Sequence, residues 1–270
     1  MTASTVSHTS SPFPTPLTLT TRVVVPSSPP THLPVIGWGS WPSKGATCTQ
    51  SVLYAIRAGY RHIDSAQAYG NEAATGAAVR ASGIPRSELW LTSKVNSKSY
   101  ANEEEGVEEV YQGIVESVRK MNGVEEQRES GDQVKLGGKD GLYLDLMLIH
   151  GAAMDKGKWN KVQWLGMERA YQEGLVRAIG VSNAGKGLME EMKEYATVWP
   201  PAVNQIEVCT RSLYNRLPLR EHLNKANSFF PSSYIHGVNS QVPHPTATAS
   251  VPSSKHTAPS TATRKPLTTR

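Results

Sequence analysis

The 270-residue sequence predicts an α/β fold of the (β/α)8 TIM-barrel type, incomplete here at about six β/α units and flanked by disordered N- and C-terminal tails. Three observations carry this. Between Leu33 and Glu207 short apolar runs alternate with amphipathic stretches, the pattern of β-α units feeding a parallel sheet. Several runs are almost continuously apolar, as strands covered on both faces are. The flanks differ in kind: residues 1–32 are dominated by Ser, Thr and Pro without one acidic residue, and 228–270 repeat that bias. Such chain cannot bury enough surface to offset its ordering entropy. The expected organisation is therefore 1–32 as a disordered or hairpin segment, 33–227 as a partial barrel, and 228–270 as a disordered low-complexity tail.

Taken in order, the strand candidates are Val35 to Gly39, His62 to Ala66, Leu89 to Lys94, Leu142 to His150, Ala178 to Asn183 and Val203 to Val208. Helical segments follow them: Thr49 to Ala58, Glu72 to Ser82, Glu104 to Met121, Lys158 to Glu173, Lys186 to Thr197, and Leu217 to Asn227. The third helix has the clearest pattern. Val107, Tyr111, Ile114, Val118 and Met121 step along one face, while Glu105, Glu108, Glu109, Glu116 and Arg119 form a solvated opposite face. Val124 to Gly141 is rich in Gly and charge without periodicity and reads as a mobile loop. Closure of such a barrel needs eight strands. Beyond Asn227 nothing offers a Val- or Ile-rich strand followed by an amphipathic helix.

Charge and cysteine content narrow the function. The net charge of +5 belongs to the flanks: residues 1–63 carry +4, residues 64–221 carry −4, and residues 222–270 carry +5. A nucleic-acid site would want Lys and Arg clustered on a structured face, so no nucleic-acid partner is expected. Cys48 and Cys209 are too few and too far apart for a disulfide framework or a metal site. They read as free thiols in a reducing, cytoplasmic setting. No apolar run approaches the roughly 20 residues of a membrane span, so no membrane partner is expected. Oligomeric state leaves no signal.

Four side chains stand out by position and chemistry: Asp64, Tyr69, Lys94 and His150. Asp64, Lys94 and His150 fall at or just past the C-terminal ends of predicted strands, where parallel α/β folds build their sites, and Tyr69 follows in the loop after the second strand. When a hydride reaches the carbon of an aldehyde or ketone, negative charge develops on oxygen and needs a proton donor. Tyr69 can be that acid, but a phenol with a pKa of about 10 is sluggish at neutral pH. An ammonium such as Lys94 within about 4 Å stabilises the phenolate by on the order of 4 kcal/mol at an effective dielectric near 20. Asp64 keeps that ammonium charged and oriented. His150 orients the carbonyl and donates to the developing oxyanion.

The words around these residues resemble the aldo-keto reductase family, and more narrowly its fungal members. Gly37-Trp38-Gly39-Ser40-Trp41 resembles the family's first-strand word, Gly59 through Ala66 the second, Asp145 through His150 the fourth, Ile179-Gly180-Val181-Ser182-Asn183 the fifth, and Pro201 through Glu207 the sixth. The resemblance implies that Asp64, Tyr69, Lys94 and His150 are the catalytic tetrad. It further implies NADPH as cofactor, bound by Gly39, Ser40, Asp64, Ser182, Asn183 and Gln205, of which Ser182, Asn183 and Gln205 grip the nicotinamide carboxamide, and Trp41 and His150 lining the pocket of a small-molecule carbonyl substrate. No metal is implied. Two departures stand out. His150-Gly151-Ala152 lacks the family's Pro two residues after the histidine, and the seventh and eighth strands with their phosphate contacts have no match. The expectation that follows is an NADPH-dependent carbonyl reductase in a C-terminally truncated or aberrant form, arising from a retained intron or shifted frame, whose activity as it stands the sequence leaves open. The alternative reading is a non-catalytic binding or regulatory protein on the same scaffold, as the potassium-channel β-subunits resemble this family.

Overall fold

Alternating apolar runs and amphipathic segments build one parallel sheet with helices against it. The computed structural model describes residues 17–27, 30–124, 134–152 and 158–207. An antiparallel hairpin comes first, β1 (Arg22–Val25) with β2 (Thr31–Pro34). There follow β3 (Trp38–Gly39), α1 (Gly45–Arg57), β4 (His62–Asp64), α2 (Glu72–Ala81), β5 (Trp90–Val95), α3 (Glu103–Met121), β6 (Leu146–Ile149), α4 (Asn160–Gln172), β7 (Ile179–Ser182), α5 (Lys186–Met192) and β8 (Asn204–Gln205). From β3 to β8 the strands lie in chain order and every pairing is parallel. Among the described residues the sheet is open between β8 and β3. The fold is thus an incomplete barrel of about six β/α units.

The two faces of the strands divide the core by the period of two that a pleated strand imposes. Ile63, Leu91, Met147, Ile149, Ile179 and Val181 face the helices, where they meet Val52 and Ile56 of α1, Val110, Ile114 and Val118 of α3, and Trp164 and Met167 of α4. On the inner face Trp90, Leu146 and Leu148 join Ala178, Ala202 and Val203 in a second cluster. Above Trp90 on the same face of β5 come Thr92 and then Lys94, and beside them on β4 stand His62 and then Asp64. The barrel interior therefore runs from an apolar floor to a charged top.

The hairpin lies inside the stretch whose composition reads as non-globular. Val25 and Leu33 are fully buried in the inner cluster while Val24 is 54% exposed. Ser, Thr and Pro around these strands mask an alternation that becomes visible only once there is a barrel floor to cover. Other boundaries moved for local reasons. The predicted 142–150 strand is β6 alone, preceded by isolated bridges of Leu142 to Leu136 and Leu144 to Val176. Helix α5 stops at Met192 rather than Thr197: residues 193–195 tighten into i→i−3 turns, and beyond them Glu168 Oε1 takes the amides of Thr197 (2.6 Å) and Val198 (2.7 Å). α3 follows its predicted face, and its first turn is capped by Asn102 Oδ1 accepting from Glu105 N at 3.0 Å. Cys48 is buried and free. Cys209, the 217–227 helix and most of both tails lie outside the described residues.

Candidate active site

Each singled-out side chain sits at the C-terminal end of a strand or in the loop just beyond it. Gly39, Asp64, Ser182 and Gln205 end β3, β4, β7 and β8, whereas Lys94 is the penultimate residue of β5. Ser40, His150 and Asn183 come one residue past β3, β6 and β7. Tyr69 ends a one-turn 3-10 helix, Gln67–Tyr69, closed by Gly70 at φ 62°. That left-handed position favours glycine and returns the chain directly into α2.

Lys94 is 2% exposed. Its Nζ donates to Asp64 Oδ1, in a short ion pair, and to the carbonyl oxygen of Ser65 at 2.9 Å. The ammonium lies 5.2 Å from the centre of the Tyr69 ring. Tyr69 in turn packs edge-on against His150, with ring centres 5.4 Å apart, and against Trp41 at 5.1 Å. The structure thus brings together the phenol, ammonium, carboxylate, imidazole and indole picked out by sequence. His150 is pushed below its ordinary pKa by burial first and by the Lys94 charge second, while Asp64 pulls the other way. A neutral imidazole suits a hydrogen-bond donor better than a competing acid. Ser97 Oγ donates to the His150 carbonyl oxygen, and His150 N donates to Val95 O at 3.3 Å, which fixes the chain that carries the ring.

The β7 and β8 ends face the same opening. Gln205 Nε2 donates to Asp64 Oδ2 at 3.0 Å across the interior, so the sheet curls far enough for its sixth strand to touch its second. Asn183 takes φ 55°, a left-handed position that Asn tolerates, and its Oδ1 accepts Glu207 N at 2.9 Å. Its Nδ2 lies 3.3 Å from Ser182 Oγ. Ala152 N donates to Ser182 O at 2.8 Å, a bond that a Pro at this position could not make. Gly39 and Ser40 lie beside β4, with Ser40 N donating to Asp64 O at 2.9 Å.

Sequence words contain other residues of the site without assigning them a task. His62 lies beneath Asp64 with Nδ1 3.2 Å from Pro34 O and Nε2 3.0 Å from Thr92 Oγ1. A Cβ added at Gly37 would come within 2.8 Å of that ring, which accounts for the glycine two residues before Gly39. Gln67 reaches Ser117 Oγ on α3 (3.1 Å) and accepts Asn96 N (3.0 Å). Asn71 gathers Ser40, Ser43 and Ser65. Glu72, buried on the helix side, accepts Ser93 Oγ–H at 2.5 Å; burial raises its pKa against that hydrogen bond. Alternation along β4 was the available signal for His62. Partners for Gln67 and Glu72, and Ser40 and Ser43 for Asn71, come from distant segments and leave no local pattern. Among the described residues no cluster of three or more His, Cys, Asp or Glu is placed to hold a metal ion.

An incomplete parallel β/α barrel thus presents Asp64, Lys94 and His150 at or beside its strand ends, with Tyr69 in the loop after β4. The chain belongs to the aldo/keto reductase family, whose model matches residues 35–229. An aldo-keto reductase of Mycolicibacterium smegmatis is 36% identical over 218 residues, 80% of this chain and 67% of its own length. The 9,11-endoperoxide prostaglandin H2 reductase of Trypanosoma cruzi is 36% identical over 198 residues, 73% of this chain and 59% of its own. An uncharacterized oxidoreductase of Schizosaccharomyces pombe is 34% identical over 179 residues, 65% of this chain and 55% of its own. Among solved structures, an aldo/keto reductase from Brucella melitensis superposes with a TM-score of 0.53 at 32% identity, covering 70% of this chain and 64% of that one. The Bombyx mori aldo-keto reductase in complex with NADP superposes at 0.51 and 27% identity, covering 68% and 58%. The chain thus spans little more than half to two thirds of the length of these relatives. Among the described residues no helix is long and apolar enough to cross a membrane.

Proposed function

We propose that this chain is an NADPH-dependent reductase of aldehydes or ketones in which Tyr69 is the general acid. The observation that carries the reading is the placement of Lys94 Nζ 5.2 Å from the Tyr69 ring centre while Asp64 and Ser65 O hold that ammonium. A substrate carbonyl resting between Tyr69 and His150 would have both donors directed at its oxygen. As charge develops there, the Tyr69 hydroxyl passes its proton to the oxygen, and the Lys94 ammonium stabilises the phenolate left behind. His150, held neutral, donates a hydrogen bond and fixes the approach. Trp41, 53% exposed beside Tyr69, is the wall of the substrate's entrance.

The chemistry of the donor set at the β7 and β8 ends fits a nicotinamide carboxamide. Such a group presents a carbonyl oxygen and an amine, and Ser182, Asn183 and Gln205 can accept and donate in turn. Bound there, NADPH would supply the hydride. Gln205 would exchange Asp64 Oδ2 for the carboxamide, and Gly39 and Ser40 border the same opening. The narrower fungal-type reading is supported by the strand-end words and by the Schizosaccharomyces pombe relative.

The test is NADPH oxidation by the purified chain with a reactive aromatic aldehyde, run beside Tyr69→Phe. General acid catalysis contributes about 10²- to 10⁴-fold, so the variant should lose at least about 100-fold in kcat. Equal rates in the two proteins would remove Tyr69 as the acid. A wild-type chain that neither oxidises NADPH nor binds it in a calorimetric titration would remove the reductase reading itself.

A further inference from the structure

Asn71 is 1% exposed, and hydrogen bonds occupy both donors and both acceptor sites of its amide. Nδ2 donates to the carbonyl oxygens of Ser40 (3.1 Å) and Ser43 (2.8 Å), and Oδ1 accepts from Ser65 Oγ–H (2.6 Å) and, at 3.4 Å, from Ser40 Oγ–H. Ser43 N also donates to Ser40 O at 3.0 Å, so residues 40–43 form a tight turn with Trp41 in it, and one amide holds both ends. Ser65 faces two ways. Its hydroxyl reaches Asn71 while its carbonyl oxygen accepts the Lys94 ammonium. Tyr69 stands two residues before Asn71, separated from it by the left-handed Gly70.

We propose that Asn71 is a positioning residue, which locks the Trp41 turn, the Tyr69 turn and the Ser65 carbonyl that receives Lys94 into one register. It touches no reacting atom. The proposal rests on the reductase reading, and its geometric content can be tested apart from it. Losing both donors would free the Ser40–Ser43 turn to swing with Trp41, and losing the acceptor would release Ser65 and with it one of the two contacts of the ammonium. An aspartate at this position keeps the shape but, while ionised, sets negative charge against two carbonyl oxygens. Protonation returns one donor.

The experiment takes Asn71→Ala and Asn71→Asp beside wild type, each confirmed to unfold cooperatively, and measures NADPH oxidation across pH. Acrylamide quenching of Trp41, taken as the difference from matched Trp41→Phe proteins, is recorded in parallel. Misplacing reacting groups by about 1 Å can lose about 100-fold, so Asn71→Ala should fall by about 10- to 100-fold in kcat/KM at every pH, with kcat lowered and KM raised together. Asn71→Asp should match that loss at alkaline pH and recover part of it toward acid. Trp41 should become more accessible to quencher in Asn71→Ala. Variants that lose stability yet keep wild-type kcat, KM and Trp41 quenching overturn the proposal, as do loss profiles that run parallel across pH. If wild type itself reduces no aldehyde, the reductase reading fails, and quenching alone then decides the positioning role: greater accessibility in Asn71→Ala upholds it and unchanged accessibility overturns it. Should Asn71→Ala not fold, Ser65→Ala removes only the Lys94 side of the lock. It should lower kcat with Trp41 quenching unchanged, and wild-type kcat there also overturns the proposal.

Discussion

Lys94 is an ammonium almost wholly removed from water, and the chain tolerates it only because Asp64 and the Ser65 carbonyl are within reach. Asp64 is also steadied by Gln205 on its second oxygen, so the pair is a junction of β4, β5 and β8 rather than an isolated contact. Removing one partner of a buried pair leaves an uncompensated charge, whereas removing both can come close to neutral. Asp64→Asn should therefore lower unfolding stability by about 3 kcal/mol, and Asp64→Asn with Lys94→Met should recover most of that loss. Urea titrations of the two single variants, the double variant and wild type measure the coupling. Strict additivity would show that Asp64 and Lys94 do not support one another. The same pair is costly in stability, because an ammonium and a carboxylate are held in an interior where Leu146 and Leu148 lie on the inner face of the neighbouring strand.

The β1–β2 hairpin shows how an element can be essential to the core and still invisible in composition. Val25 and Leu33 each reach zero exposure against Trp90, Leu146 and Leu148, closing the floor of an interior whose top is the candidate site. Leu33→Ala should lower stability by about 2–5 kcal/mol, while Val24→Ser, on the solvent face of the same hairpin, should stay within about 0.5 kcal/mol of wild type. Chemical denaturation of both variants distinguishes a packed floor from a loosely attached arm, for which the two would be equally mild. Periodicity gave the long elements well, since α3 spans Glu103–Met121 with its apolar face where a step of three and four residues puts it. It failed where the partner decides the structure. Composition leaves residues 1–32 open between disorder and a hairpin, because only the barrel floor decides between them, and past Met192 the chain tightens into turns before Glu168 takes the Thr197 and Val198 amides. The site divides the same way. Asp64, Lys94 and His150 were legible because strand ends converge in any parallel barrel, and Tyr69 because it follows one of them. Asn71 and the Gln205–Asp64 bond were not: Asn71 depends on how the loops after β3 and β4 meet, and the Gln205–Asp64 bond on how far the sheet curls.

Across the molecule, floor and site communicate through one buried imidazole. His62 Nδ1 faces the Pro34 carbonyl oxygen, which can only accept, so Nδ1 carries the proton. Nε2 must then accept the Thr92 hydroxyl proton, and Thr92 Oγ1 in turn accepts Trp90 Nε1–H at 3.1 Å. The neutral ring is satisfied on both sides; a second proton, on Nε2, would turn that nitrogen and Trp90 Nε1–H together onto Thr92 Oγ1 and deprive the Thr92 hydroxyl proton of its acceptor. Burial lowers the His62 pKa most strongly, and the nearby Lys94 charge adds to it, while Asp64, the Pro34 hydrogen bond and Asp145 oppose. A group with a depressed pKa in the fold binds fewer protons there than in the unfolded chain, so stability is complete above the unfolded value near 6.5 and declines as pH falls from there through the folded value. Glu72, whose pKa burial raises, changes in the opposite sense and masks part of the decline at lower pH. The His62 contribution is therefore read as a difference. Urea midpoints of wild type should drop between pH 7.5 and pH 5.5 (on the order of one pH unit either side of the free imidazole pKa) by more than those of His62→Gln, which keeps a donor and an acceptor but cannot titrate. Parallel declines in the two proteins would place the acid sensitivity elsewhere and leave His62 as a spacer between the hairpin floor and the Asp64–Lys94 pair.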